Sequence, residues 1–328
     1  MYERFFGLRE RPFELTPDPR FLFLSPSHRE ALSNLQFGIA ARKSLTVLIG
    51  EVGSGKTTLV RRTLTVAKEE GWRCIFLKNP QLSPDEFATF FARELGIDQS
   101  AELPRWERLE AIERRLGKLR TAGEAVGLIV DEAQNLSDAL FEELRQLTNF
   151  ETDTEKLLSV LLVGQPELGQ RLNEAALRHL KQRIALRCVL QPLTLPETAA
   201  YIAARIVIAG GQSATVFTRE AVTAIFHASR GLPRAVSVLC DNALITAFAA
   251  SERPVSSRTV AEVCRDFDYA SVLERPAAES DEPVAPISAK TVLADQRPDV
   301  DETAIPDADK KSSRDFGRRF SIFGATGR

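Results

Sequence analysis

The sequence predicts a parallel α/β sheet with helices on both faces, followed by a small all-helical lid domain and a disordered C-terminal tail. Two patterns carry that prediction. From about Leu45 to Leu190, short β-branched or aliphatic runs alternate with longer helical stretches, as strands joined by crossover helices do. Beyond Thr194 the strand-like runs cease and helical periodicity continues to about Phe267. A glycine-rich loop directly after the first predicted strand then marks the sheet edge at which a ligand would bind.

The strands are expected at residues 45–49, 74–78, 127–130, 158–163 and 187–190. Ser83-Pro84-Asp85-Glu86 reads as a capping box with proline at the first helical position, and Thr194-Leu195-Pro196-Glu197 repeats that arrangement where the strands end. Further helix starts are expected at Ser137 and Thr218, and Gly231-Leu232-Pro233 separates two helices. These signals divide the chain into an aromatic N-terminal segment (1–44), an α/β domain (45–193), a helical lid (194–267) and a tail (268–328).

In the tail, acids dominate residues 274–309, and Lys310, Lys311, Arg314, Arg318, Arg319 and Arg328 follow, with Phe316, Phe320 and Phe323 among them. That end reads either as a solvated tail or as a short docking peptide for an acidic partner or membrane surface.

The 328 residues are 44% hydrophobic and 27% charged, which suffices for a core without covalent staples. Cys74, Cys188, Cys240 and Cys264 are far apart with no metal-ligand spacing, and are expected to be reduced thiols of a cytosolic protein. A net charge of −2 offers no overall basic signature for nucleic acid. The charged N-terminal residues are unlike a signal peptide, and no run approaches the roughly 18 apolar residues of a spanning helix. The expected location is cytoplasmic or peripheral to an inner membrane.

Gly50-Glu51-Val52-Gly53-Ser54-Gly55-Lys56-Thr57 satisfies the P-loop pattern GxxxxGK[ST] at every required position, with an apolar strand before it and a helix after it. Its glycines let backbone N–H groups turn toward phosphates, and the positive end of the following helix dipole adds to the anion site. Lys56 is expected on the β- and γ-phosphates, Thr57 on Mg²⁺, and Thr58 in the same first turn.

The apolar run 126–130 stops at Asp131-Glu132, placing Asp131 to hold Mg²⁺ and Glu132 to orient and deprotonate the attacking water of ATP hydrolysis. The strand at 158–163 stops before Gln165, a candidate for positioning that water or reporting the γ-phosphate. In the basic segment from Arg178 to Arg183, Arg183 and then Arg178 are candidates for an arginine acting in trans on a neighbouring subunit of an oligomer. Arg234, on the first turn after Gly231-Leu232-Pro233, is the candidate lid arginine. His28 and His227 lack partner spacing and default to structural roles, with His28 also considered for the adenine side.

These motifs resemble the ExeA/GspA-type secretion ATPases of bacteria, which are of the AAA+ type. The resemblance rests on Tyr2, Phe5-Phe6-Gly7-Leu8, Pro12-Phe13, Thr16-Pro17-Asp18-Pro19, His28 and Ala31-Leu32 ahead of the P-loop. It continues through Asp131-Glu132-Ala133-Gln134, Gly164-Gln165-Pro166-Glu167-Leu168, Gln182-Arg183 and Gly231-Leu232-Pro233-Arg234, over nearly all of residues 1 to about 265. It implies an AAA+ core with a helical lid, ATP hydrolysis, oligomers with shared sites, and protein partners in a secretion or export complex. It also implies that Phe5, Phe6 and Phe13 anchor the N-terminal segment against the core beside the adenine. Longer members continue into a transmembrane segment and a peptidoglycan-binding domain; this sequence contains neither, a departure that bears on the envelope role and not on the nucleotide chemistry.

Two other readings compete. An ATP-dependent DNA-binding protein of the TniB/IstB transposition type would share the core; balanced charge argues against it, while the stretch from Arg178 to Arg187 argues for it. A P-loop kinase for a small molecule fits the adjacent Asp131-Glu132 pair and the arginine-bearing lid less well than water activation does.

Overall fold

The structure is a computed structural model and describes residues 1–15, 18–78, 80–97 and 102–267. The expected tail lies outside the described residues, as do Thr16 and Pro17. The sheet has five parallel strands, β1 (Leu45–Gly50), β2 (Trp72–Leu77), β3 (Ala125–Val130), β4 (Leu158–Gly164) and β5 (Ile184–Leu190), in the order β2-β3-β4-β1-β5. Each lies on a predicted strand. The largest boundary difference is at β5, which starts three residues before the prediction.

Period-two alternation accounts for both sheet faces. Val47, Ile49, Leu128, Val130, Val160 and Leu162 bury toward α4 (Pro84–Glu94), α5 (Arg105–Thr121) and α6 (Asp138–Leu147). Leu48, Ile129, Leu161 and Val163 bury toward α2 (Pro26–Ala40) and α3 (Lys56–Glu69). The expected caps form: Ser83 and Thr194 complete capping boxes with Glu86 and Glu197, and Ser137 and Thr218 accept bonds from backbone amides three residues on. Each such cap stabilises its helix by about 1 kcal/mol.

The helices α9 (Leu195–Ile208), α10 (Arg219–Ser229), α11 (Pro233–Ala249) and α12 (Ser257–Asp266) share a separate apolar cluster. The N-terminal aromatics join this helical cluster, which corrects the expectation that they anchor against the α/β core. Phe6 and Phe13 are buried there with Tyr2 and Phe21, and Phe5 packs at its margin. The cause is polar as well as apolar. Arg205 on α9 donates to the carbonyls of Pro12 (2.5 Å) and Glu14 (3.2 Å) while its guanidinium lies over the Phe13 and Phe21 rings. Tyr2 donates its hydroxyl to Asp241 of α11 at 2.5 Å. No pattern within residues 1–23 distinguishes one apolar layer from another, so the choice was invisible in sequence. No helix among the described residues is long and apolar enough to cross a membrane.

The linker that follows β5 is held to the helical layer through backbone. Leu193 N–H donates to Gly231 O at 2.8 Å, and Gly231 takes φ +70°, in the left-handed region. A Cβ at Gly231 would lie 2.0 Å from the Leu193 carbonyl oxygen. Gly231→Ala is therefore expected to cost about 2–4 kcal/mol, combining backbone strain with a clash against main chain. Urea unfolding measures this, and an unchanged midpoint would show that the linker yields freely.

Candidate functional site

Strand register assembles the site. Ile49 of β1 pairs with Gly164 of β4, and Val130 of β3 pairs with Leu162. Because β4 lies between β1 and β3, the residues following the three strands emerge side by side at one sheet edge: the loop after Gly50, Gln165, and Asp131-Glu132. Open parallel sheets bind ligands at this edge.

The loop from Gly50 to Thr57 has an anion cradle's geometry. Gly53 and Gly55 take φ +81° and +99°, and α3 begins at Lys56. The first-turn amides of Lys56 and Thr57 have no carbonyl one turn back to receive them. A Cβ at Gly53 would lie 2.8 Å from Arg234 Cβ, and one at Gly55 would lie 3.0 Å from His28 Nε2. Both glycines are therefore required by neighbours as well as by φ. Lys56 is buried, with Nζ donating to the carbonyls of Gly50 (2.7 Å) and Glu51 (3.0 Å). Burial lowers its pKa, opposed by the carboxylates of Glu132, Asp131, Glu51 and Glu167. Val52, Thr57 and Thr58 are exposed, and Ser54 is buried in the turn.

Asp131 N–H donates to Leu77 O at 3.0 Å, and burial raises the pKa of its carboxyl. Glu132 follows with φ +50°, a left-handed conformation that costs a residue bearing a Cβ roughly 1–2 kcal/mol. Two amides converge on one of its oxygens: Gln165 Nε2 donates to Glu132 Oε2 at 3.0 Å and Gln134 Nε2 donates to the same atom at 2.6 Å. They hold the Glu132 carboxyl below its usual range, Gln165 contributing most. Among the described residues Glu132 Oε1 accepts no hydrogen bond.

The remaining candidates are dispersed. Arg234 lies in the first turn of α11 with its backbone N–H donating to Gly53 O at 3.2 Å and its stem over Gly53, so this candidate borders the P-loop. Arg178 begins α8 (Arg178–Lys181), and Arg183 lies just before β5, at the sheet edge opposite the P-loop. At about 3.3 Å per strand residue, β5 separates Arg183 from its own P-loop by roughly 20 Å. His227 caps nothing catalytic and lies in α10 against Phe226.

Two residues brace the site through contacts that the sequence did not specify. His28 is buried, with Nε2 2.8 Å from Ser54 O and Nδ1 2.7 Å from Ser25 Oγ. A carbonyl only accepts, so Nε2 carries the proton and burial keeps the ring neutral by lowering its pKa. His28 thus braces the P-loop main chain; its sequence signal is confined to the Ser25 helix start. Gln134 is the second, reached only through a short turn after Glu132.

Together the fold and the site define a P-loop nucleotide-binding module of the AAA type. The AAA domain family model matches residues 40–172. Over 257 residues, 76% of this chain, the sequence is 39% identical to General secretion pathway protein A of Aeromonas hydrophila, and the match spans 45% of that relative. The chain belongs to the ExeA/GspA-type AAA+ family. Among solved structures, the Aeropyrum pernix ORC2 protein aligns with TM-score 0.55 at 18% identity, covering 83% of this chain and 74% of that one. Drosophila ORC bound to DNA aligns with TM-score 0.56 at 18% identity, covering 78% and 64%. At those identities the likeness is one of fold alone.

Proposed function

We propose that this protein binds ATP·Mg²⁺ and hydrolyses it to drive a conformational or assembly step in a bacterial secretion or export system. The observation that carries the reading is the convergence of Lys56, Glu132 and Gln165 at one sheet edge, with one oxygen of Glu132 anchored and the other unclaimed. In this scheme the P-loop amides and Lys56 hold the phosphates, Glu132 takes the proton of the attacking water, and Gln165 fixes the carboxylate that does so. Thr57 and Asp131 offer one hydroxyl and one carboxylate, the sparse oxygen set that suits Mg²⁺, which would neutralise phosphate charge. Arg234 couples the lid to the loop. Arg183, too far from its own P-loop, acts on a neighbouring copy in a homo-oligomer, with Arg178 as the second candidate. The division at residues 44, 193 and 267 into linker, nucleotide domain and lid belongs to the same reading, as does a location peripheral to the inner membrane. The partner class comes from the Aeromonas relative, whose name places it in general secretion.

A second reading, ATP-dependent binding to DNA, draws on the exposed Arg178, His179, Lys181 and Arg187. One experiment separates the two: steady-state ATP turnover against a Glu132→Gln blank, with and without duplex DNA at low salt. Turnover indifferent to DNA is expected. Strong stimulation would favour the DNA reading, and turnover no higher than the blank would sink hydrolysis.

A further inference from the structure

Gln134 belongs to none of the groups assigned above to phosphate, Mg²⁺ or water, yet both ends of its amide are engaged in the site. Its Nε2 donates to Glu132 Oε2 at 2.6 Å, and its Oε1 accepts the backbone N–H of Gln165 at 3.1 Å. The partners fix the amide's orientation, since an ionised carboxylate only accepts and a backbone N–H only donates. Gln165 closes the circuit by donating from its own side chain to the same carboxylate oxygen at 3.0 Å. We propose that Gln134 is a positioning residue: it ties Glu132 and Gln165 into one hydrogen-bonded ring that aims Glu132 Oε1 at the attacking water. The inference rests on the reading of Glu132 as the group that takes the water's proton.

The surroundings are built for this seat. A Cβ at Gly164 would lie 2.8 Å from Gln134 Oε1, so glycine before Gln165 clears the space that the amide occupies. The turn carrying Gln134, Ala133–Asn135, is held from below by Arg171 at the end of α7 (Pro166–Arg171). Arg171 Nη1 donates to Gln134 O at 2.9 Å and to Leu136 O, Nη2 pairs with Asp138 at 2.6 Å, and the guanidinium lies 4.9 Å from the Phe141 ring centroid. The segment that begins at Gln165 thus loops back to clamp the backbone of Gln134. The side chains and the main chain below them are thus tied into one hydrogen-bonded network.

If Gln134 served only to pair the Gln165 amide at the start of α7, its replacement would lower stability and leave the turnover of folded protein alone. Positioning gives a different pattern, because a small misplacement of a reacting group costs up to about 100-fold in rate. Gln134→Leu removes both bonds, and Gln134→Glu keeps length and acceptor but loses the donor to Glu132. Both are expected to lower kcat by roughly 10- to 100-fold, with KM for ATP and Kd for ADP within about twofold of wild type. A kcat within twofold of wild type in either variant overturns the proposal. The nucleotide-free protein supplies an independent readout. Gln134→Leu, Gln165→Leu and the double variant form a cycle of urea midpoints, in which the double variant is expected to fall little further than the worse single one. Additive shifts overturn the ring even if turnover is never observed. Wild-type turnover equal to the Glu132→Gln blank is a separate failure, that of the hydrolysis reading, and the positioning role falls with it.

Discussion

Lys56→Ala is expected to weaken ATP binding by at least about 100-fold, which corresponds to roughly 2.7 kcal/mol. The ammonium is buried at the centre of the P-loop, bonded to the carbonyls of Gly50 and Glu51, and its charge opposes the carboxylates of Asp131, Glu132, Glu51 and Glu167. In the proposed site its loss would remove charge-assisted bonds to phosphate, each worth about 1.5–3 kcal/mol, and leave those carboxylates facing an anion without a counter-charge. Titration calorimetry with ATP decides the matter. An affinity within threefold of wild type would sink the P-loop assignment.

Glu132→Gln should preserve nucleotide affinity and lower turnover by roughly 10²- to 10⁴-fold, the usual contribution of a general base. The structure explains why the variant should fold. The substituted amide can keep its oxygen toward Gln134 and Gln165, both donors, and present its NH₂ where Oε1 now stands. An NH₂ cannot accept the water's proton, so the change is confined to the chemistry. A phosphate-release assay beside a binding isotherm measures both halves, and normal turnover would place the base elsewhere.

The legible parts of this protein are those whose chemistry is local. The P-loop, the capping boxes at Ser83 and Thr194, and the apolar runs feeding Asp131 and Gln165 announce themselves within a few residues, and the sheet then brings Lys56, Glu132 and Gln165 together. Contacts between distant segments left no trace. His28 meets Ser54 O across 26 positions, and the Phe13 ring lies beside Arg205, almost two hundred residues away. Strand β5 started early for a local reason: Ala185, Arg187 and Val189 face solvent on the sheet's edge, so its first half lacks the continuous apolar run that marks an interior strand.

The two apolar layers are stitched by the chain at two places, and both stitches are short. Phe23 packs with the helices and its neighbour Leu24 with the sheet, while Leu190 belongs to the sheet and Leu193 to the helices. One covalent joint would permit a swing about any axis. Two joints behave like the pins of a door, confining the helical layer to rotation about the line between them, because any other swing stretches a connector of one or two residues. His28 stands on the helix that follows one pin and Gly231 grips the other, so each joint is tied to backbone that borders the P-loop or the first turn of α11.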